Sequence, residues 1–270
     1  MVSMNDLQHL DSSSLLSGEK RNRIMAEVLS PSTAALLQKI HLQNGMCGLD
    51  LGCGTGEVTF QLAERVGQKG EVTGMDQNVD NIRKAQAKLL KDEWANVCFI
   101  MKNIVEWRES ERYDFVYSRL LLNQLRQPSA VLQNVYRSMK SGGVMVVEDL
   151  DCSNYYCHPA SYAFDRYLEL FTAAKKRQGT DAHIGHKLLP LLEAAGFEKI
   201  QVQMVPATFL CQQNKPLASL TLDTISRILL SERLVSSTEL TVLLDELRAF
   251  ELRNDTLITA PGIYQAWGYK

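Results

Sequence analysis

The sequence predicts an α/β fold built on a mostly parallel sheet, and three observations predict it. Gly52, Gly54 and Gly56 follow an apolar run that ends at Leu51 and precede an amphipathic stretch. An acid, Asp76, closes a second apolar run twenty residues after Gly56. Strand-like and helix-like segments then keep alternating as far as residue 147. A strand, a glycine turn, a helix, a strand and an acid make a nucleotide-binding half-fold. Continued alternation implies right-handed crossovers between parallel strands.

Each element has its own signal. Residues 1–17 are polar and Ser-rich and read as loosely held. Residues 18–43 read as two helices parted by Pro31, which suits a first turn. Residues 46–51 are the first strand. The helix after the glycines sets Val58, Leu62, Ala63 and Val66 on one face. Residues 72–75 are the second strand, and Asn78 caps a helix with the stripe Val79, Ile82, Ala85 and Leu89. Residues 97–101 and 113–117 are the third and fourth strands. A helix over 129–139 turns Val131, Leu132, Val135 and Met139 inward, Gly142-Gly143 ends it, and residues 144–147 are a buried fifth strand. After Asp151 the rhythm breaks into a helix over 161–178, a helix carrying Leu188, Leu191, Leu192 and Ala195 and stopped by Gly196, a strand over 199–205, and helices over 217–233 and 238–253. The aromatic-rich segment 263–269 suits the hairpin partner of strand 199–205.

Several residues in this frame carry chemistry. Gly52, Gly54 and Gly56 alternate, and Glu57 stands where a dinucleotide fingerprint would place its third glycine, which disfavours a nicotinamide cofactor. The glycines let backbone approach a ligand; the plainer alternative is a tight strand-to-helix turn. Asp76, at a strand end, can accept both hydroxyl protons of a ribose, and as an acid at a helix start it is also favoured by the helix dipole. Gln77 and Asn78 follow it on the same edge.

With Asp50 before it and Asp76 after it, the pattern D-x-G-x-G-x-G at residues 50–56 resembles motif I of the class I S-adenosylmethionine-dependent methyltransferases. The wider text, from Gly18-Glu19-Lys20-Arg21 through the glycine turn to Arg119 and Glu148-Asp149-Leu150-Asp151, is similar to the small-molecule branch that includes the quinone-biosynthesis methyltransferases. The strong part of the resemblance covers about residues 18–150. It implies a Rossmann-like seven-stranded sheet, mostly parallel with an antiparallel last strand, with helices on both faces. It implies S-adenosyl-L-methionine as cofactor and S-adenosyl-L-homocysteine as product. The methionine portion would lie against the glycine turn, with Asp50 orienting its ammonium and Cys53 and Thr55 contacting it mainly through backbone. Asn103 falls where family members usually carry an Asp that bonds the adenine amino group; Asn103 can still accept through its amide oxygen, or serve only as a turn residue. The backbone N–H of Ile104 would meet a ring nitrogen. Ser118 and Arg119 leave the fourth strand where cofactor and acceptor meet, and Arg119 is either a ligand contact or an interior ion-pair partner. An Arg of the N-terminal segment reaches the cofactor carboxylate in relatives; Arg21 is the best match and Arg23 the alternative.

The remaining signals mostly exclude. A formal net charge of −2 over 270 residues gives no field for a polyanion, so nucleic acid is a poor partner. No apolar run approaches the ~20 residues of a membrane span, and the N-terminus has no secretory pattern. Six scattered cysteines read as reduced, largely buried thiols, which favours a cytoplasmic setting. The segment after the fourth strand lacks the N/D-P-P-Y/F motif of some amine methyltransferases and the Pro-Cys pair of cytosine-C5 chemistry. His183 and His186 with Cys152, Cys157 and His158 match no zinc spacing, so no metal is expected. These histidines are candidate pocket bases. Tyr155, Tyr156 and Tyr162 pack against an acceptor or form core. Glu148, Asp149 and Asp151 supply a base or orienter, or form a solvated acidic turn.

The reading is a single methyltransferase domain over 1–270. It has an N-terminal helical cap at 1–44, a cofactor-binding half at 45–150 and a substrate-side half at 151–270 with a helical insertion at about 207–256. The cap and insertion form a helical lid. Methyl transfer to a small-molecule acceptor by in-line displacement needs alignment more than a strong base. The alternatives are a non-catalytic S-adenosylmethionine-binding protein and a methyltransferase acting on RNA or protein.

Overall fold

The apolar runs pair edge to edge as β1 (Cys47–Leu51), β2 (Glu71–Asp76), β3 (Val97–Met101), β4 (Tyr113–Arg119) and β5 (Met139–Asp151), all parallel. The computed structural model describes residues 4–270 apart from Glu93 and Ala207, with side chains from Leu16 onward and Asp92 also excepted. The expectation of loose structure at 1–17 therefore lies partly outside the described residues. From Met4 the chain is already helical, and α1 (Met4–Lys39) is one helix with Pro31 inside it rather than two. Proline removes a donor to the preceding turn, yet a long helix with packed faces on both sides of it survives the loss.

The chain divides into two units. One holds residues 33–150, 183–205 and 263–270; the other holds 1–32, 151–182 and 206–262. With a short separate pair numbered β6 (Cys157–His158) and β8 (Leu257–Ile258), and with β7 at Glu198–Val205 and β9 at Gly262–Tyr269, the first is a seven-stranded sheet in the order β3-β2-β1-β4-β5-β9-β7. β7 and β9 pair antiparallel, with Met204 opposite Tyr264 and Gln203 opposite Gln265. The strand order reverses between β1 and β4, the switch point where open α/β sheets bind ligands at their carboxyl ends.

Alternation along the strands sorts side chains to two faces. Leu49, Leu51, Val116, Met145 and Val147 enter one core with Val131, Leu132 and Val135 of α4 (Pro128–Ser138) and Leu188 and Leu192 of α6 (Leu188–Ala195). Phe115, Tyr117, Val144 and Val146 enter the other, under Leu36 and Leu37 of α1 and Val58, Leu62, Ala63 and Val66 of α2 (Glu57–Val66). In α3 (Val79–Asp92) Ile82 and Ala85 are buried as the stripe requires, while Val79 at its first turn is exposed. Gly142 and Gly143 do not end a helix. α4 stops at Ser138 and the glycines lie within β5, where pairing jumps from Tyr113 with Met139 to Phe115 with Val144.

The second unit is helical. α5 (Tyr162–Gln178), α7 (Leu217–Ser231) and α8 (Ser237–Leu252) join the first part of α1. Ser161 accepts from the Phe164 amide at 3.4 Å and Ser236 from the Glu239 amide at 3.1 Å, capping α5 and α8 as Ser does best. Tyr155, Phe164 and Tyr167 stack edge to face in its core; Tyr156 and Tyr162 are exposed. All six cysteines are free thiols, and of these Cys98 and Cys211 are exposed rather than buried. Among the described residues no helix is long and apolar enough to cross a membrane.

The acids at the end of β5 are buried instead of forming a solvated turn: Glu148 and Asp149 are 0% exposed and Asp151 is 1%. β5 runs on to Asp151, so these acids are strand residues facing packed layers. Asp149 accepts from Asn123 Nδ2 at 2.8 Å and from the Leu150 amide at 2.8 Å. Asp151 accepts from the Ser153 amide at 2.9 Å. Burial pushes the Asp149 carboxyl up to about 6, against those donors.

Two predictions follow from this packing. A Cβ at Gly48 would stand 1.9 Å from Phe115 Cζ, because the Phe115 ring lies across the strand opposite its register partner. Gly48→Ala is expected to cost about 1–3 kcal/mol by overpacking, and Phe115→Leu in the same chain is expected to recover part of it. Urea unfolding measures both, and a Gly48→Ala variant as stable as the parent would contradict the close approach. For Asp149 the folded chain holds the proton up to about pH 6, while an unfolded Asp releases it near pH ~4. The folded state binds more protons in that window, so this group's contribution falls as pH rises through it, by at most about 3 kcal/mol. Asp149→Asn should flatten the trend, making Tm at pH 5 minus Tm at pH 7.5 smaller than in the parent. Equal differences would mean that Asp149 is ionised throughout.

Candidate functional site

The sheet brings most of the sequence-predicted residues to one edge, the carboxyl ends of β3, β2, β1 and β4. Three consecutive amides of the glycine turn are spent on the end of β2. Gly52 and Cys53 donate to the Met75 carbonyl at 2.8 and 3.0 Å, and Gly54 donates to Asp76 Oδ2 at 3.0 Å. Asp76 Oδ1 accepts from the Asn78 amide at 2.8 Å, and Asn78 Oδ1 in turn caps α3 by accepting from Asp80 and Asn81. Asp76 is thus fixed at both oxygens and still has acceptor sites to spare. Gln77 beside it is exposed.

Gly54 is the open position of the turn. Its φ is +55°, and a Cβ there would find nothing within 4 Å. Gly52 would place a Cβ 3.0 Å from Leu121, and Gly56 would place one 2.6 Å from the Phe99 ring. Two glycines therefore serve packing, and the middle one leaves backbone bare toward open space. The Cys53 side chain is buried, and burial pushes its thiol well up, so it is a packing residue rather than a nucleophile. Thr55 Oγ1 donates to both Glu57 oxygens at 2.7 and 2.9 Å, and Lys88 Nζ reaches Glu57 at 2.7 Å and the Thr55 carbonyl at 2.9 Å. Burial raises the Glu57 carboxyl, but the bonds from Lys88 and Thr55 outweigh it and the net direction is down.

Asp50 is 2% exposed and pairs across the strands with Tyr117. Its Oδ2 accepts from Thr59 Oγ1 at 2.6 Å. Burial pushes its carboxyl up to about 6, while Thr59 and Arg119 draw it down. Arg119 is half-buried and donates to Thr33 Oγ1 of α1 at 3.3 Å. Ser118 faces the opposite side of β4, where its hydroxyl is buried without a partner. Leu120, next in the chain, holds φ +55°, a strained value for a non-glycine residue. Asn103 follows β3; its Oδ1 accepts from the Val105 amide at 3.0 Å, forming the polar turn, and Ile104 is buried. Val79, Met101 and Val105 are exposed apolar residues around that end of the sheet.

The remaining candidate residues are described within their own units. Arg21 belongs to the helical unit, where Nε donates to Thr221 Oγ1 and Nη1 to Asn22 Oδ1, both at 3.1 Å. Arg23 is exposed in the same unit, as is His158, and His183 and His186 belong to the sheet unit. Among the described residues no His, Cys, Asp and Glu group has a metal-binding arrangement. Sequence reasoning missed Thr59, Thr33 and Lys88 as partners of Asp50, Arg119 and Glu57. Thr59 interrupts the apolar face of α2 and was the one readable signal.

Comparisons with known proteins agree on the family. Residues 42–196 match the model of a methyltransferase domain. The chain is 35% identical over 115 residues to arsenite methyltransferase of Mus musculus, covering 39% of this chain and 31% of that protein. It is 31% identical over 128 residues to demethylmenaquinone methyltransferase of Lactococcus lactis, covering 47% and 48%. These matches span about a third to a half of the relatives' length. In fold, it superposes on Haemonchus contortus phosphoethanolamine N-methyltransferase 2 in complex with S-adenosyl-L-methionine with a TM-score of 0.57 at 17% identity, over 89% of this chain and 52% of the other. Motif, sheet order and family match converge: the chain belongs to the class I S-adenosylmethionine-dependent methyltransferase family.

Proposed function

We propose that this chain binds S-adenosylmethionine along the carboxyl ends of β3, β2, β1 and β4 and transfers its methyl group to a small-molecule acceptor. The observation that carries the proposal is Gly54, with φ +55°, open space where a side chain would stand, and its amide on Asp76. Bare backbone facing open space, next to a strand-end carboxylate, fits the close approach of a ribose and an amino-acid tail. When bound, the cofactor supplies an activated sulfonium methyl.

The chain's own residues then bind and orient. Asp76, already held by two amides, offers its remaining lone pairs to ribose hydroxyls. Asp50, steadied by Thr59, supplies negative charge for an ammonium. Val79, Met101 and Val105 offer apolar surface to a planar base, with the Asn103 amide at its edge. The relatives named above act on arsenite and on demethylmenaquinone, chemically unlike acceptors, which supports a shared cofactor half and an acceptor set elsewhere. Alignment of the acceptor behind the methyl carbon is the main catalytic demand, and no residue is assigned as base.

Calorimetry is expected to find S-adenosylmethionine and S-adenosylhomocysteine bound with similar, roughly micromolar affinity, about 8 kcal/mol. Asp76→Ala should cost about 1.5–3 kcal/mol of that affinity in a folded chain. Gly54→Ala should fold, at about 1 kcal/mol for the left-handed backbone, yet bind at least about tenfold more weakly. A folded parent that ignores both ligands would end the proposal. Binding without methyl transfer to any of a panel of phenols, thiols, amines and enols would instead favour a non-catalytic binding protein.

A further inference from the structure

A polar seam crosses the apolar layer of the sheet unit that faces α1 and α2. It begins at Lys39 on α1, which is exposed and donates from Nζ to Gln203 Oε1 at 2.7 Å. Gln203 Nε2 donates to Gln265 Oε1 on the adjacent strand. Gln265, 1% exposed, donates from Nε2 to Glu148 Oε2 at 2.9 Å. Glu148, fully buried, accepts at Oε1 from the Tyr117 hydroxyl, also fully buried. The chain therefore passes through β7, β9, β5 and β4 in their spatial order. Both amides point the same way, carbonyl toward the ammonium and N–H toward the carboxylate, so their dipoles link the two charges head to tail.

The seam continues beside the candidate cofactor edge. Tyr117 is the register partner of Asp50, and Arg119 lies two residues along on the same face of β4. Burial raises the Tyr117 phenol, Glu148 and Asp50 push it further up, and Arg119 draws it down. Asp50 itself is faced by Thr59 and Glu57 from α2, Asp76 from β2, Arg119 and Tyr117 from β4, and Cys53 from its own turn. A fully buried carboxylate is retained here, two strands from Asp50, where an apolar residue would pack with less desolvation cost.

We propose that Glu148 and Tyr117 are positioning residues for the ligand-binding acid Asp50, held in place through Gln265 and Gln203 by Lys39 at the surface. Tyr117, fixed by its bond to Glu148, defines the wall beside Asp50, and the Glu148 charge balances Arg119 so that Asp50 keeps its place at the amino-acid end of the cradle. This inference rests on the cofactor reading above, and its test separates the two.

S-adenosylhomocysteine affinity is measured from pH 5 to 8 for the parent, Asp50→Asn, Glu148→Gln, Tyr117→Phe and the double variant Asp50→Asn/Glu148→Gln, with folding checked by thermal melts. Glu148→Gln and Tyr117→Phe should each weaken binding about three- to tenfold at pH 7.5, and the Asp50 and Glu148 effects should be non-additive. Removing the Glu148 charge should also move the acidic limb of binding, where Asp50 takes up its proton, to lower pH. A scaffold defect would weaken binding equally at every pH. Tyr117→Phe deletes only a hydroxyl and keeps the test available if Glu148→Gln does not fold. Full affinity in folded Glu148→Gln and Tyr117→Phe, or an additive cycle with an unmoved limb, would overturn the positioning role while leaving the cofactor site intact. Loss of the cofactor reading would show differently, as an Asp50→Asn variant or a parent with no measurable dependence on this edge.

Discussion

The site depends on one tie between neighbouring strands: the glycine turn after β1 spends the amides of Gly52, Cys53 and Gly54 on Met75 and Asp76 at the end of β2. Those amides would otherwise be unsatisfied at a strand-to-helix junction, and leaving them so would cost more than the bonds contribute. Once made, the tie sets both the path of the turn and the direction of the Asp76 carboxylate. It also explains why the spacing from Gly56 to Asp76 is informative. The intervening helix and strand have to bring the acid back within reach of the Gly54 amide, which a right-handed crossover of that length does. Turn and acid are therefore one structural object, and in the proposed site a ligand would meet them together.

The same requirement, that every buried polar group find a partner, shapes the layer beneath α1. Asp50 takes Thr59, Arg119 takes Thr33, and Glu148 takes Tyr117 and Gln265. Each partner comes from an element packed over or beside the strands, so the polar groups fix register between α1, α2 and the sheet in a layer that apolar contacts alone would specify less sharply. On the other face the sorting is different. Asp149 is satisfied by Asn123 and its own neighbour's amide, while the Ser118 hydroxyl stays unpaired. An orphaned buried hydroxyl at Ser118, two residues before the strained Leu120, marks the end of β4 as a place where packing is not the deciding consideration.

Much of this was legible in the sequence, for reasons that also explain what was not. The apolar runs and the stripes of α2 and α4 have clear periods, so the strands, their alternation and the closing antiparallel pair could be read. Periodicity says nothing of polar residues placed deliberately within a core. Glu148, Asp149 and Asp151 resemble a solvated turn because three acids in four residues are hard to bury; Glu148 and Asp149 find donors in distant segments, Gln265 and Asn123, and Asp151 finds one close by, the Ser153 amide. Pro31 suggested a break in a helix that packing carries through, and Gly142-Gly143 suggested a helix stop where β5 is irregular. In each case tertiary partners decided against the local signal.

Asn103 illustrates how a departure from a family pattern can be tolerated locally and still matter for a ligand. Its Oδ1 accepts from the Val105 amide, a bond that an Asp at this position would make equally well, so the turn after β3 does not discriminate between them. The difference lies in the other terminal atom. A carboxylate would present a second acceptor to the solvent edge, whereas the amide presents a donor. Toward an adenine amino group that exchange loses an attraction unless the amide oxygen serves both the turn and the base. The Asn103 oxygen has two lone pairs and one protein partner among the bonds described, so it can serve both, with the amide nitrogen turned away from the base. In the proposed cofactor site, recognition at this position would depend on a single shared oxygen, while Asp76, with both oxygens fixed by backbone, would be the firmer anchor of the edge.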